Sequence, residues 1–236
     1  MKFKKAVIGA NKDILELIKT KSHDTLCEKI SIGHGGDVSM RVDLLAEEIF
    51  VKYLSKYGNI YSEECGYIDN KSEFDLIIDP IDGSSNFASN LPYFGTSVAL
   101  KKQDKHICSV ITNLANQDIF IKDARGLLKG KLDSLIFKKI DINANSCVGI
   151  FERAYCSQNI AEKLKMIKIK YRSPGAFALS LAYARDVDFV IYEGILRAFD
   201  IEAGLHMCED LNLYESSQIL FISKDKETFD KISKLF

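Results

Sequence analysis

The sequence predicts a mixed protein of the α+β or α/β class with two tightly joined halves, an α+β half at residues 1–125 and an α/β half at residues 126–236. Two observations predict this class. Residues 96–121 contain three β-rich runs separated by polar turns, which is typical of an antiparallel meander, whereas strand and helix patterns alternate from about residue 145 onwards. No proline-, glycine- or serine-rich linker divides the chain, so we expect the halves to share an interface.

Composition limits the classes of function. The chain has 236 residues, of which 47% are apolar, and this is enough for a substantial core. Its 32 basic and 33 acidic residues give a net charge of -1, so we expect no nucleic-acid partner. Six cysteines occur without C-x-x-C spacing, and no apolar stretch approaches the length of a membrane span. We therefore expect a cytoplasmic protein with reduced thiols and no membrane association.

The N-terminal half is predicted to contain two amphipathic helices and a sheet. Apolar residues at intervals of three and four indicate helices over residues 3–19 and 42–54. Glycines make residues 30–38 a predicted mobile loop or hairpin tip, and residues 126–131 are predicted to form a turn. The predicted strands of the meander are Thr96 to Lys101, Ile107 to Thr112 and Asp118 to Ile121.

The C-terminal half is predicted to alternate strands and helices. The predicted strands are Val148 to Phe151, Ile167 to Tyr171, Val187 to Tyr192 and Ile219 to Ile222. The predicted helices are Asn159 to Met166, Ala176 to Arg185, Ile201 to Leu211 and Lys226 to Leu235. Asp200 precedes the third of these helices in the N-cap position, which favours aspartate in any protein.

The chemistry is concentrated in residues 75–87, which read D-L-I-I-D-P-I-D-G-S-S-N-F. An apolar run long enough for a buried strand leads directly into Asp79 and Asp82. A carboxylate in such a place loses hydration and needs a cation or several donors in exchange. Pro80 removes a backbone donor and is expected to end the strand ladder, and Gly83 permits a close approach of another group. The pattern indicates a site for metal and phosphate, with a capped turn as the structural alternative.

Several other phosphate and hydrolase chemistries are excluded by motif. The chain lacks G-x-x-x-x-G-K-[ST], an EF-hand pattern and a G-x-S-x-G elbow. Its four histidines show no paired spacing for zinc. Hard oxygen ligands without histidine or cysteine favour magnesium, with manganese as the alternative.

Three separated motifs, SEECG, DPIDGSSNF and FDIEAG, occur in this order and resemble the magnesium-dependent, lithium-sensitive superfamily of inositol monophosphatases and fructose-1,6-bisphosphatases. The segments GDVSMRVD near residue 40 and YRSPGAFALSLAYARDVDFVIYEG are also similar to family segments. The resemblance implies a layered αβαβα sandwich of the sugar-phosphatase type. It also implies a homodimer.

The resemblance implies two metal positions. Glu63, Asp79 and the backbone carbonyl of Ile81 would hold the first ion. Asp79, Asp82 and Asp200 would hold the second, so that Asp79 bridges the two ions. Two such ions activate water and stabilise the leaving oxygen, so no covalent phospho-enzyme is needed. Glu63 is in this way one of the implied catalytic residues.

The resemblance also implies roles around the phosphate and the alcohol. The backbone N–H groups of Gly83 and Ser84 would bind the phosphate, and Asp43 would pair with the Ser84 hydroxyl to orient the attacking water. Asp43 and Ser84 are thus the other implied catalytic residues. Glu193 would bind substrate hydroxyls, and Asp188 would support that wall.

The implied function is a Mg²⁺-dependent phosphomonoesterase acting on small polyol or sugar phosphates, with myo-inositol 1-phosphate as the first candidate. A fructose-1,6-bisphosphatase and a 3′-phosphoadenosine phosphatase share the metal site and remain alternatives. A non-catalytic regulatory or binding member is the alternative from another class. Two departures leave the alcohol half of the substrate open: Ser84 stands where the family usually has threonine, and the usual EAGG-like end of the late helix is replaced by CEDLNLYESSQ.

Overall fold

The structure is a computed structural model that describes residues 2–157 and 159–236. Its helices are α1 (Lys2–Thr20), α2 (His23–Leu26), α3 (Arg41–Leu54), α4 (Ser84–Ala88), α5 (Ile160–Met166), α6 (Phe177–Ala182), α7 (Ala198–Met207) and α8 (Lys226–Ile232), with 3₁₀ turns at Ala154–Cys156 and Ser233–Leu235. Within these described residues, none of the helices combines the length and the apolar character needed to cross a membrane.

The strands form a two-stranded hairpin, an eight-stranded sheet and a five-stranded sheet. The hairpin consists of β1 (Lys29–Ile32) and β2 (Val38–Met40). The eight-stranded sheet contains β3 (Asn59–Ser62), β4 (Gly66–Ile68), β5 (Asp75–Asp82), β6 (Gly95–Lys102), β7 (Lys105–Asn113), β8 (Asp118–Asp123), β9 (Gly126–Lys131) and β10 (Phe137–Lys139). The five-stranded sheet contains β11 (Gly149–Glu152), β12 (Tyr171–Arg172), β13 (Phe189–Glu193), β14 (Asn212–Glu215) and β15 (Ile219–Ser223).

The eight-stranded sheet has the order β10-β9-β8-β7-β6-β5-β3-β4 and carries helices on both faces. Successive side chains of a strand point to opposite faces. Leu76 and Ile78 therefore pack with apolar residues of α1 and α3 on one face, whereas Ile77 packs with residues of α6 and α7 on the other. The β5 strand is thus buried from both sides, which explains its continuous apolar run.

The five-stranded sheet has the order β12-β11-β13-β15-β14 and lies on the other side of α6 and α7. Phe177 and Leu181 of α6 pack against this sheet, while Leu179 of the same helix packs against the eight-stranded sheet. Helices α5 and α8 cover the outer face. The resulting layers are helix, sheet, helix, sheet and helix, so the predicted αβαβα sandwich is confirmed.

The predicted helices at residues 3–19 and 42–54 and the predicted antiparallel meander are confirmed. The predicted turn at residues 126–131 is wrong, because this segment is strand β9 and pairs with β8 from Asp118 to Asp123. The predicted strand at residues 167–171 is also wrong, because pairing with β11 begins only at Tyr171. In the first segment a tight hairpin with the preceding strand, and in the second segment pairing with a strand from before α5, decided the structure where local patterns were weak.

The change of sheet falls between β10 and β11, so β9 and β10 belong to the eight-stranded sheet. The division of the chain at residues 125 and 126 stays a prediction. Pro80 does not end β5 as predicted. Asp79 pairs with Ser97 and Asp82 with Gly95, and the register shifts between these two pairs. A bulge of this kind absorbs the missing N–H of proline without ending the strand.

Candidate active site

Three carboxylates from distant parts of the chain meet at the end of the eight-stranded sheet. Glu63 follows β3, Asp79 lies on β5 and Asp200 lies on α7, and one oxygen from each lies within 4.8 Å of the others. The parallel pairing of β3 with β5 brings the first two together, since the N–H of Glu63 donates to the carbonyl of Ile78 at 3.3 Å. Helix α7 supplies the third carboxylate from the C-terminal part of the chain.

Asp79 and Asp200 of this carboxylate cluster are buried, Glu63 is half-buried, and no described cation pairs with Asp79. Asp79 is 2% exposed, and its Oδ1 has no hydrogen-bond partner among the described residues. Burial, together with the neighbouring Glu63, Asp82 and Asp200 carboxylates, raises the pKa of Asp79 well above its ordinary value. Burial also raises the pKa of Glu63 to about 8, against the opposing effect of Arg197. Buried oxygen ligands that repel one another fit a hard divalent cation.

The predicted ligands Asp82 and Ile81 are buried in the same stretch of β5. The Oδ2 of Asp82 accepts the N–H of Leu179 at 2.8 Å, so a residue of α6 fixes this carboxylate. Burial raises the pKa of Asp82 well above its ordinary value, and the Leu179 N–H opposes this effect. Asp82 lies outside the group of three oxygens but contributes to its negative field.

Asp43 lies in the first turn of α3, as the sequence predicts. Its Oδ2 accepts the N–H of Met40 at 2.7 Å, while its buried Oδ1 has no partner among the described residues. The structure therefore does not contain the predicted hydrogen bond between the Asp43 carboxylate and the Ser84 hydroxyl. Burial, with a smaller effect of the Glu64 carboxylate, raises the pKa of Asp43 to about 7.

Gly83 and Ser84 form the turn that leads from β5 into α4. Gly83 has a φ of 86°, in the left-handed region that favours glycine. A Cβ atom at this position would lie 2.9 Å from the Cβ of Ala176 and 3.1 Å from the carbonyl oxygen of Tyr93. The turn is therefore packed against a segment from the C-terminal part of the chain, and there is no room for a side chain.

Arg197 is a site residue that sequence reasoning missed. Its guanidinium forms ion pairs with Glu63 at 3.1 Å, with Asp200 at 2.8 Å and with Asp37 at 2.6 Å. Arg197, not Asp200, is the N-cap residue of α7, and Asp200 lies in the first helical turn. The spacing of three residues in R-A-F-D is the local signal that could have indicated the pair with Asp200.

The β1–β2 hairpin closes over the same place. The N–H of Gly35 donates to the carbonyl of Glu63 at 2.8 Å, and the N–H of His34 donates to that of Glu64 at 3.1 Å. A Cβ atom at Gly35 would lie 2.8 Å from the Cγ of Glu63. The hairpin tip therefore lies directly against the carboxylate cluster, which accounts for the glycine at position 35.

A cleft of about 540 Å³ opens beside the cluster and is lined by both basic and aromatic side chains. Its lining includes His34, Tyr61, Arg153, Tyr192 and Arg197. Another open depression, of about 560 Å³, is lined by residues between 161 and 172. Neither lining includes a predicted site residue, but the first cleft includes Arg197, which pairs with Glu63 and Asp200.

The predicted substrate residues Glu193 and Asp188 lie at opposite ends of β13. Glu193 ends the strand, and its buried Oε2 has no partner among the described residues. Asp188 precedes the strand and accepts a hydrogen bond from the Ser146 hydroxyl. Because a strand rises roughly 3.3 Å per residue, the structure does not bring Asp188 to the end where Glu193 lies.

Comparison with known proteins identifies relatives over most of the chain. Residues 2–211 match the model of the inositol monophosphatase family. The chain is 34% identical over 181 residues to a fructose-1,6-bisphosphatase of Pyrococcus furiosus, covering 74% of this chain and 68% of the relative. It is 33% identical over 184 residues to a fructose-1,6-bisphosphatase/inositol-1-monophosphatase of Methanocaldococcus jannaschii, covering 74% and 69%. A solved structure from Pyrococcus horikoshii, described as having similarities to inositol-1 monophosphatase, matches with a TM-score of 0.81 at 24% identity and covers 99% and 97% of the two chains.

Proposed function

The chain belongs to the inositol monophosphatase family and is a phosphatase, and from this premise we propose that it is a Mg²⁺-dependent phosphomonoesterase of small polyol or sugar phosphates. Its first candidate substrate is myo-inositol 1-phosphate. One observation carries the proposal: the carboxylates of Glu63, Asp79 and Asp200, two of them buried and Glu63 half-buried, converge within 4.8 Å, and one oxygen of Asp79 has no partner among the described residues. Arg197 pairs with Glu63 and Asp200, but no described cation pairs with Asp79, so a bound cation is needed to offset the repulsion at Asp79.

The residues present fit divalent metal. Glu63, Asp79, the Ile81 carbonyl, Asp82 and Asp200 would hold it, with manganese as the alternative to magnesium. When bound, such ions activate water and stabilise the oxygen that leaves phosphorus. The donors are carboxylates and a carbonyl, without thiolate or imidazole, which supports a hard ion.

The remaining roles fall to residues at the edge of the cluster. The backbone N–H groups of Gly83 and Ser84 would bind the phosphate of the substrate. The free Oδ1 of Asp43 would accept a hydrogen bond from the attacking water or from the Ser84 hydroxyl, and its pKa of about 7 permits proton exchange near neutral pH. Glu193, whose Oε2 is buried and without a partner among the described residues, would bind substrate hydroxyls.

Release of inorganic phosphate from myo-inositol 1-phosphate by the purified protein tests the proposal. We expect turnover with Mg²⁺, none with excess chelator, and none in Asp79→Asn. Asp118→Asn is the matched control, because Asp118 is also a buried aspartate of the eight-stranded sheet. Its carboxylate lies outside the cluster and pairs with the Lys131 ammonium at a distance of 2.7 Å. Turnover that persists in Asp79→Asn would contradict the proposal. If the protein hydrolyses no phosphomonoester at high enzyme concentration, a regulatory or binding role is favoured.

A fructose-1,6-bisphosphatase activity is the second candidate, and Arg153 favours it. Arg153 lines the cleft with a left-handed backbone, φ 55°, and its guanidinium donates to the Tyr192 hydroxyl at 3.3 Å. Both relatives described above carry fructose-1,6-bisphosphatase in their names. An exposed guanidinium in the cleft is suited to a second phosphate.

A substrate panel separates these candidates. If the second phosphate binds Arg153, Arg153→Gln lowers kcat/KM for fructose 1,6-bisphosphate by about 10-fold or more, because a charged hydrogen bond is lost. The kcat/KM for inositol 1-phosphate stays nearly unchanged. Arg125→Gln is the control, because Arg125 is exposed and pairs with Asp123 outside the cleft. Equal effects on both substrates would count against the bisphosphate. The panel includes 3′-phosphoadenosine 5′-phosphate as the remaining alternative.

The proposal also includes a homodimer in a cytoplasmic setting. All six cysteines are free thiols in the structure, which is consistent with a reducing compartment. Light scattering of the purified protein measures the oligomeric state, and a monomer at micromolar concentration would contradict this part.

A further inference from the structure

Glu152 is a buried acid that has no part in the proposed reaction as described above. It ends strand β11 and is 1% exposed. Its Oε2 accepts the N–H of Gly175 at 2.8 Å, and its Oε1 accepts the hydroxyl of Ser180. The Ser180 oxygen lies 3.1 Å from the Tyr93 hydroxyl, so the network continues towards the eight-stranded sheet.

The two donors to Glu152 lie at either end of one short segment, residues 175–180, which forms the start of α6. Gly175 has a φ of 85°, and the segment turns sharply at this point. Glu152 therefore holds both the turn and the first helical turn of α6 from the same side. A buried carboxylate with two donors is a rigid anchor, because neither donor can exchange its partner for water.

The anchored segment contacts the proposed site directly. The N–H of Leu179 donates to Asp82 Oδ2 at 2.8 Å. The space beside Gly83 is closed by Ala176, whose Cβ would lie 2.9 Å from a Cβ at Gly83, and by the carbonyl oxygen of Gly175 at 3.3 Å. One segment thus fixes both a proposed metal ligand and the proposed phosphate-binding turn.

Asn86 links the Gly83 turn to the anchored segment by hydrogen bonds. Its Nδ2 donates to the carbonyl of Pro174 at 2.6 Å and to that of Tyr93 at 2.7 Å. Asn86 belongs to α4, the helix that follows the Gly83 turn, and Pro174 directly precedes Gly175. The turn and the segment are consequently tied by hydrogen bonds as well as by packing.

We propose that Glu152 is a positioning residue for phosphate ester hydrolysis, which acts by fixing residues 174–180 against Asp82 and the Gly83 turn. This role rests on the proposed function. Glu152 itself touches neither the carboxylate cluster nor the turn. Its effect passes through Gly175 and Ser180, so we expect its loss to weaken the binding of phosphate at the Gly83 turn.

Two substitutions should weaken the anchoring by Glu152 to different extents. Glu152→Gln keeps one acceptor oxygen for the Gly175 N–H, while the Ser180 hydroxyl can donate instead to the Ala176 carbonyl at 3.0 Å. Glu152→Ala leaves both donors without their carboxylate partner. We expect Glu152→Ala to lower kcat/KM by about 10- to 100-fold, the range seen when supporting residues of a metal site are removed, and Glu152→Gln to retain a large part of the activity.

The deciding measurement is the inhibition constant for inorganic phosphate, taken beside kcat, KM and the melting temperature. We expect the inhibition constant and KM to rise in Glu152→Ala. We expect both to keep their wild-type values in Asp118→Asn, even if its melting temperature falls by as much as that of Glu152→Ala. If Glu152→Ala fails to fold, Glu152→Gln and Ser180→Ala carry the test. Unchanged inhibition constants in the folded variants of an active enzyme would overturn the role of Glu152. An inactive wild-type protein would overturn the proposed function itself, and with it this role.

Discussion

Replacing Asp79 with asparagine is expected to remove the effect of divalent cation on stability and to stabilise the protein in chelator. Asp79 is 2% exposed, and its pKa is raised well above the ordinary value by burial and by neighbouring carboxylates. A folded-state pKa above the unfolded one means that stability falls as pH rises above the unfolded value of about 4. The asparagine side chain carries no charge, so the variant escapes this loss at pH 7.

The size of the expected Mg²⁺ effect on stability follows from the linkage between cation binding and folding. Cation at 100 times its dissociation constant stabilises a folded protein by about 2.7 kcal/mol. For chains near this length, each kcal/mol shifts the melting temperature by about 2–4 °C. The wild-type protein should therefore gain roughly 5–11 °C with saturating Mg²⁺. Asp79→Asn should gain little, because Asp79 is one of the residues proposed to hold the cation.

Differential scanning fluorimetry at pH 7, with chelator and with a magnesium series, measures both effects. Asp118→Asn serves as control and should keep the wild-type response to Mg²⁺. A wild-type shift of Asp79→Asn with Mg²⁺, or a melting temperature below that of wild type in chelator, would refute the expected role of Asp79. Activity plays no part in this assay, so a loss of metal binding is separated from a loss of chemistry.

Two further predictions concern pH and the phosphate turn. Burial, with repulsion from His106, lowers the pKa of His206 to about 4, so stability should fall by up to roughly 3 kcal/mol between pH 6.5 and 4. Urea denaturation across this range should give a flatter profile for His206→Gln, and an unchanged slope would contradict the assignment. Gly83→Ala should cost about 1–2 kcal/mol of stability from the left-handed φ alone. It should also raise KM, because the new Cβ meets Ala176 at 2.9 Å; wild-type kinetics in this variant would argue against the turn as a phosphate site.

The sequence predicted the mixed fold class, the helices α1 and α3 and the buried acidic strand end at Asp79 from local signals, whereas the layered sandwich and the role of Glu63 came from the family resemblance. The apolar run before Asp79 predicts a buried strand, and a carboxylate at the end of such a strand needs a cation or several donors in place of water. The amphipathic periods of α1 and α3 likewise require a sheet to cover. The resemblance added Asp200, for which the local pattern indicated only a helix cap.

Tertiary structure alone decided how these residues meet and what supports them. The local spacing around Arg197 points at most to Asp200, yet Arg197 also pairs with Glu63 and Asp37, which lie more than a hundred residues earlier in the chain. The sequence around Glu152 contains no motif that marks it, and its proposed role depends on the path of the segment that follows Pro174. Asp188 and Glu193 are close in sequence but lie at opposite ends of one extended strand. Contacts of this kind depend on how separate elements pack, and no local propensity or spacing contains that information.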